Sequence, residues 1–165
     1  MRELGPLAAL VAALMVLAMP ALASAAVHDP FERAVADAVG VVRAQHGIAP
    51  LRPSPRLARV ARHHSLDQLR HQRLSHDAGD GTPFSRRMAR VSRSSVGETV
   101  GWMPDGTAAA AFTIVQIWLA SPAHRAELLD RRFRRIGVGR RWGLLTGLPG
   151  TVVTVDLGAP APRRR

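Results

Sequence analysis

Residues 118–139, WLASPAHRAELLDRRFRRIGVG, contain the change of period that decides the fold. Up to this stretch the chain reads as helices, the last over roughly 107–120 and apolar almost all round, which predicts a well buried element. Within it, Ser121-Pro122 sets a helix-capping residue before a proline at the first helical position, and helical turns follow through Leu129. Beyond an arginine-rich turn the period becomes two. Ile136-Gly137-Val138-Gly139 and Thr151-Val152-Val153-Thr154-Val155 read as strands, and Gly143 to Gly150 as a loose hairpin loop. Helices first and strands later predict an α+β sandwich with the helices packed on an antiparallel sheet.

Working back toward the N-terminus, the same capping device recurs. Asp29-Pro30 opens a helix that runs to Gly47, a suitable residue for the left-handed position after a helix. Ser54-Pro55 opens a second, ending near Leu74, with Leu57, Val60, Ala61, His64, Gln68 and His71 on one stripe. Asp77 to Gly81 is a turn-rich loop, and Thr82-Pro83 caps a short helix carrying Arg86, Arg87 and Met88. Ahead of all this, residues 7–19 form an unbroken apolar run behind Arg2, followed by Pro20 and small residues. The pattern reads as a secretory signal peptide over 1–25, cleaved after Ala23 or Ala25. The competing reading is an uncleaved membrane anchor. Residues 159–165, Pro- and Arg-rich, read as a tail outside the packed domain.

The 165 residues suffice for one domain with a real core, and the absence of cysteine leaves stability to packing alone. All 23 basic residues are arginine against 12 acids, a net charge of +11. That field attracts anionic envelope polymers, acidic lipids or nucleic acid, and its densest run is Arg131, Arg132, Arg134, Arg135, Arg140 and Arg141. Three Trp, four Phe and no Tyr give few stacking platforms, and an export signal argues further against nucleic acid.

Three short words carry the candidate chemistry: Leu74-Ser75-His76, Gly97-Glu98-Thr99 and Ser121-Pro122-Ala123-His124-Arg125. They stand in an ordered series with Arg43, Gly47, Leu51, Leu57, Ala61, His64-Ser65, Asp67, Phe84, Arg87, Trp118, Leu128-Leu129, Phe133 and Ile136 to Gly139. In this order and spacing the chain resembles a bacterial, cysteine-free, single-domain member of the CAP superfamily, also called the SCP or cysteine-rich secretory protein domain. The resemblance implies a three-layer α-β-α sandwich over residues 26–158. It also implies a cleft lined by His76, Glu98 and His124, with Arg125 and Ser121 beside them, in which His76 and His124 hold a divalent metal in some members. Two departures stand out. Ser121 occupies the position of the family's second acid, three residues past Trp118, and Thr99 replaces its usual asparagine.

Two neutral imidazoles suit Zn²⁺ at about 2.0–2.1 Å and would leave an open site, while no cofactor is required by the remaining residues. Arg125 is a candidate partner for Glu98 or for a ligand carboxylate, with an ordinary surface pairing as the competing account. A rival set, His63, His64, Asp67 and His71, falls on the second helix; there a buried histidine bonded to the backbone or a carboxylate is the simpler account. Trp102, Trp118 and Trp142 are candidates for a ligand groove, with Trp118 better explained as core. Two functions stay open. One is a secreted or periplasmic binding module for a lipid, glycan or peptide, with no membrane span after signal cleavage. The other is a metal-assisted hydrolase of an extracellular peptide or envelope polymer with Glu98 as base.

Overall fold

A computed structural model describes residues 29–92 and 94–160; the expected signal peptide over 1–25 and residues 161–165 of the expected tail lie outside the described residues. The elements in order are α1 (Pro30–Gln45), β1 (Arg52–Pro53), α2 (Pro55–Arg70), α3 (Phe84–Ala89), β2 (Val96–Met103), α4 (Ala108–Ala120), α5 (Pro122–Leu129), β3 (Arg135–Leu145) and β4 (Leu148–Gly158). The strands form one sheet in the order β1-β3-β4-β2. β2, β3 and β4 are antiparallel, whereas the two-residue β1 joins β3 in parallel, so the sheet is mixed. No helix among the described residues is long and apolar enough to cross a membrane.

The helix starts follow the predicted caps. The Asp29 carboxylate accepts from the amides of Phe31 and Glu32 at 3.0 and 3.3 Å, and the Ser54 hydroxyl accepts from Leu57. Gly47 takes φ +61° after α1, a conformation that suits a residue without Cβ. α2 ends at Arg70 rather than near Leu74, because Gln72 turns left-handed at φ 52°. At α3 the expected Thr82 cap is replaced by Asp77, whose carboxylate accepts from the Phe84 amide at 2.9 Å.

Alternation along the strands sends opposite chemistries to the two faces. Ile136, Val138, Val153, Val155 and Leu157 pack on Phe31, Val35, Val39, Ile114, Trp118 and Phe133, forming the main core beneath α1, α4 and α5. On the other face Gly137 and Gly139 lie against α2 so closely that a Cβ there would stand 2.1 Å from the Ala58 and Arg62 backbone nitrogens. This gives helices on both faces of a sheet: the expected three layers.

Two further expectations fail. Residues 143–150 are not a loose loop: β3 and β4 remain paired to Leu145 and Leu148, and Thr146-Gly147 closes the hairpin with φ 51° and 82°. That two-residue turn with positive φ at both positions matches the twist of a hairpin. Nor is α4 buried all round, since Phe112 and Ile117 are more than half exposed on its outer side. At the other end of the sheet the chain is clamped to β2: the Ala159 amide donates to Ser95 O, and the Ser94 hydroxyl to Pro160 O, both at 2.9 Å.

Candidate functional site

The loop between α2 and α3 is fixed from below by α2. Asp67 accepts from the Gly79 amide at 2.7 Å, and the Gln68 side-chain oxygen accepts from the Ser75 amide at 3.2 Å. His64, fully buried, donates from Nε2 to Ser75 O at 2.7 Å, since a carbonyl can only accept. Its Nδ1 has no partner, and burial, the largest influence, pushes its proton affinity down. With the loop held in this way, His76 projects toward the open edge strand β2.

Glu98, on β2, is buried and meets three cations or potential cations. Its Oε1 accepts from His76 Nδ1 at 2.9 Å and lies 3.8 Å from His64 Nε2, while its Oε2 accepts from Arg87 Nη2. Arg87 also donates to His76 O at 3.2 Å and stacks on the Phe84 ring, 5.3 Å from its centroid. The bond to Glu98 is the main reason the half-exposed His76 holds a proton more readily than an ordinary imidazole. Directly opposite Glu98 in the strand register stands Asp156, whose side chain is completely buried. Arg87 Nη1 is 3.8 Å from its Oδ1, and neither Asp156 oxygen has a hydrogen-bond partner as a carboxylate. Burial first, and the adjacent Glu98 second, raise its pKa well above the usual carboxyl range; protonated, it becomes a donor to Glu98.

The opposite wall comes from α5. Arg43, wholly buried in α1, donates to the carbonyls of Leu128 (2.7 Å), Asp130 (3.1 Å) and Phe133 (3.3 Å), satisfying the end of α5 and fixing its position. One turn apart on α5 are His124 and Glu127. Glu127 lies over Gly97: a Cβ at that glycine would be 2.0 Å from the Glu127 Oε2. Burial depresses the His124 pKa, and the neighbouring His76 depresses it further. Burial raises that of Glu127, with His76 opposing. The edge of β2 is thus flanked by an imidazole that takes up a proton more readily than usual, a second that does so less readily, and a half-buried acid.

Several predicted roles are reassigned. Arg125 turns away from Glu98 and bonds His46 Nε2 at 3.0 Å; the guanidinium on Glu98 belongs to Arg87. Ser121 sits at the start of α5, with no hydrogen bond from its side chain into the helix. The α2 histidines do not converge: His64 is buried, whereas His71 is exposed and pairs with Asp67 at 3.1 Å. Trp118 is core and donates to Val100 O at 3.0 Å, Trp102 is half-buried, and Trp142 is exposed at the far end of β3. The arginine run does not form a single free patch, because Arg132 pairs with Asp130, Arg140 with Asp29, and Arg131 and Arg134 bond backbone carbonyls. A cavity of about 810 Å³ lies elsewhere, between the start of α2, Arg90 and Arg135, and none of the cleft residues lines it.

Arg87, Asp156 and Glu127 escaped the reading of the chain as site residues. Asp156 had a signal: a lone acid in an otherwise apolar and threonine strand. Glu127 had a weaker one, lying three residues after His124 on the same helix face.

The expected metal pair, His76 and His124, gains no third protein ligand among the described residues. Among the described residues no three His, Asp or Glu side chains are arranged to hold an ion. Glu98 is already bonded through both oxygens, and the Arg87 cation beside it opposes a divalent charge.

A model of the cysteine-rich secretory protein family, CAP, matches residues 36–141. The Bacillus subtilis protein described as uncharacterized membrane protein YlbC is 32% identical over 111 residues, which are 66% of this chain and 31% of that protein. The chain therefore spans about a third of that curated relative. Among solved structures, an extracellular protein containing an SCP domain from Bacillus anthracis superposes with a TM-score of 0.66 at 23% identity, over 79% of this chain and 40% of that one. An outer surface protein from Borrelia burgdorferi gives 0.65 at 18% identity, over 79% and 93%. A cysteine-rich secretory protein from Staphylococcus aureus gives 0.62 at 15%, over 82% and 40%. These likenesses show the fold.

Proposed function

The chain belongs to the cysteine-rich secretory protein (CAP) family, and from that premise we propose that it is an exported binding module without turnover. Its cleft runs along the edge of β2 between His76 and the α5 wall of His124 and Glu127. The observation that carries this reading is the burial of Glu98 beneath its partners. A general base needs a lone pair that reaches the proton it takes. The Glu98 side chain is instead 1% exposed, with His76 on one oxygen and Arg87 on the other, and Asp156 stands behind it as a further donor when protonated. The cluster is built to hold the His76 ring still, not to move protons.

What remains free for a ligand is the outer part of His76, with His124 and Glu127 across the strand. Two imidazoles of opposite shift in proton affinity and a carboxyl group at one edge suit a polar ligand rich in hydroxyls and amides, such as a glycan or a peptide segment of an envelope polymer. Export is supported by the apolar run at 7–19 before Ala23 and Ala25, and by relatives described as extracellular and outer-surface proteins.

The test is a titration of the protein with soluble disaccharide-peptide fragments of peptidoglycan, followed through the ring protons of His76 and His124. Saturable shifts at both rings, weakened several-fold by Glu127→Gln with the fragments recovered intact, are expected. Cleaved fragments, with cleavage lost in Glu98→Gln, would make the protein a hydrolase; silence at both rings would remove the cleft. Zinc serves as a second probe. A stoichiometric site lost in both His76→Ala and His124→Ala would restore the metal reading, which this geometry does not favour.

A further inference from the structure

The β3–β4 hairpin outruns the rest of the sheet. β2 stops at Met103, opposite Thr151, and β1 touches β3 only at Arg135 and Ile136. Residues 143–150 therefore continue alone for about 13 Å at the usual strand rise. On the α1 side the helix layer stops at the same place. Asp29 and Phe31, at the start of α1, cover Arg140, which is bonded to Asp29 at 2.8 Å and stacked on Phe31. The next residues on that face are bare. Trp142 is 57% exposed and Leu144 58%, with the exposed Pro149 opposite Leu144; at the tip Leu148, paired with the buried Leu145 and so on the other face, is 57% exposed as well.

Large apolar side chains at a projecting tip need a partner, and three observations say which. First, the surroundings are basic. No acidic residue occurs between Asp130 and Asp156, or between Asp67 and Asp77, and the end of α2 that braces the hairpin through Gln72 carries the exposed Arg70 and Arg73. The acids on this side are engaged: Asp29 with Arg140, and Asp105 with Thr107. Second, the aromatic at the tip is tryptophan, the side chain that settles at the boundary of hydrocarbon and water. Third, the chain enters the domain here. Asp29, bonded to Arg140 two residues from Trp142, follows the apolar stretch of residues 7–27 in sequence with only His28 between them.

We infer that the hairpin tip, Trp142, Leu144 and Leu148, docks into the interface of an anionic lipid bilayer, with Arg70, Arg73 and Arg141 over the headgroups. The surface lies apart from the β2 cleft and does not depend on the function proposed for it. Docking would hold the domain on a membrane by one end.

The full chain mixed with vesicles of phosphatidylglycerol and phosphatidylcholine carrying brominated acyl chains provides the test, because bromine quenches only tryptophans that reach the lipid. Quenching is expected, and Trp142→Phe should abolish most of it even if residues 7–27 hold the protein on the vesicle. Leu144→Ser with Leu148→Ser should raise the lipid needed for half-quenching about tenfold, and vesicles of phosphatidylcholine alone should quench less. All three side chains are more than half exposed, so a matched melting curve separates these effects from unfolding. Phe112→Ser with Ile117→Ser, equally exposed on α4, is the control and should change nothing. The proposal is overturned if quenching persists in Trp142→Phe, if the α4 pair weakens it as much, or if quenching is absent. It is also overturned if the chain instead forms a concentration-dependent dimer that Trp142→Phe dissolves, for then a second copy covers the strip.

Discussion

The two faces of the sheet are built from the same strands and do opposite work. Along β3, Ile136 and Val138 enter a hydrocarbon layer beneath α1 and α4, while Gly137 and Gly139, between them, let α2 lie on the backbone. β4 repeats the division: Val153, Val155 and Leu157 on one side, Thr154 and Asp156 on the other. Facing α2, Ser65 donates to Gly139 O and accepts from the Thr154 hydroxyl, Gln68 donates to Thr154, and Glu98, Asp156, Arg87 and His64 fill the rest. One face contributes stability that tolerates small changes in shape. The other contributes position, and every buried polar atom there is costly when its partner is lost.

The sharpest way to break this contrast is Gly139→Ala. A Cβ 2.1 Å from the Arg62 nitrogen meets backbone that cannot give, so loss of cooperative unfolding in denaturant is expected. Ile136→Val, three positions earlier on the apolar face, should cost only about 1 kcal/mol. Equal melting of the two variants would mean that α2 is not seated on the sheet. Next in size is Arg87→Met, which strands the buried Glu98 and should cost about 3–5 kcal/mol by chemical denaturation. Adding Glu98→Gln should recover part of that loss; strict additivity would show that the pair is not coupled. On the hydrocarbon side, Leu157→Ala belongs in the same range, about 2–5 kcal/mol, with no rescue by any polar change.

Asp156→Asn tests the polar face in the other direction. With its folded pKa raised, Asp156 keeps a proton that the unfolded chain releases above about 3.9, so stability falls as pH rises from there toward the folded value. Asparagine cannot ionise, so the variant should melt higher than the parent at pH 7 and flatten that slope. A lower melting point at pH 7 would show that the ionised carboxylate is the form the fold needs. The smallest effect belongs to His76→Gln. The raised pKa of His76 contributes stability fully present below about 6.5 and lost as pH climbs through the folded value. Half-exposed as it is, the contribution should stay under about 1 kcal/mol, read as a loss confined to the acid side in paired pH melts.

Much of this contrast was legible in the residues. Asp29-Pro30 and Ser54-Pro55 announce their helices because caps are local, and His76, Glu98 and His124 stand in short words that keep their spacing. The failures share a physical cause. Gly143, Gly147, Gly150 and Pro149 read as loop, yet Gly143 and Gly150 oppose each other in a ladder where Leu69 and Trp102 approach too closely for a side chain. Only Gly147 is the turn. α4 is apolar all round, and composition gives no hint of which side finds a partner, so Phe112 and Ile117 were expected inside. The choice of Arg87 over Arg125 for Glu98 is set by how α3 and α5 fold back on the sheet, which no neighbouring residue records.

The clamp at the end of β4 has a practical side. Residues 159 and 160 reach across to Ser95 and Ser94, immediately before the strand that carries Glu98. A reporter or affinity tag fused after residue 158 would therefore unfasten the start of β2 and blur the cleft while leaving the hydrocarbon core intact. Such a preparation should melt much like the parent while its cleft is altered, which joining the tag beyond residue 160 avoids.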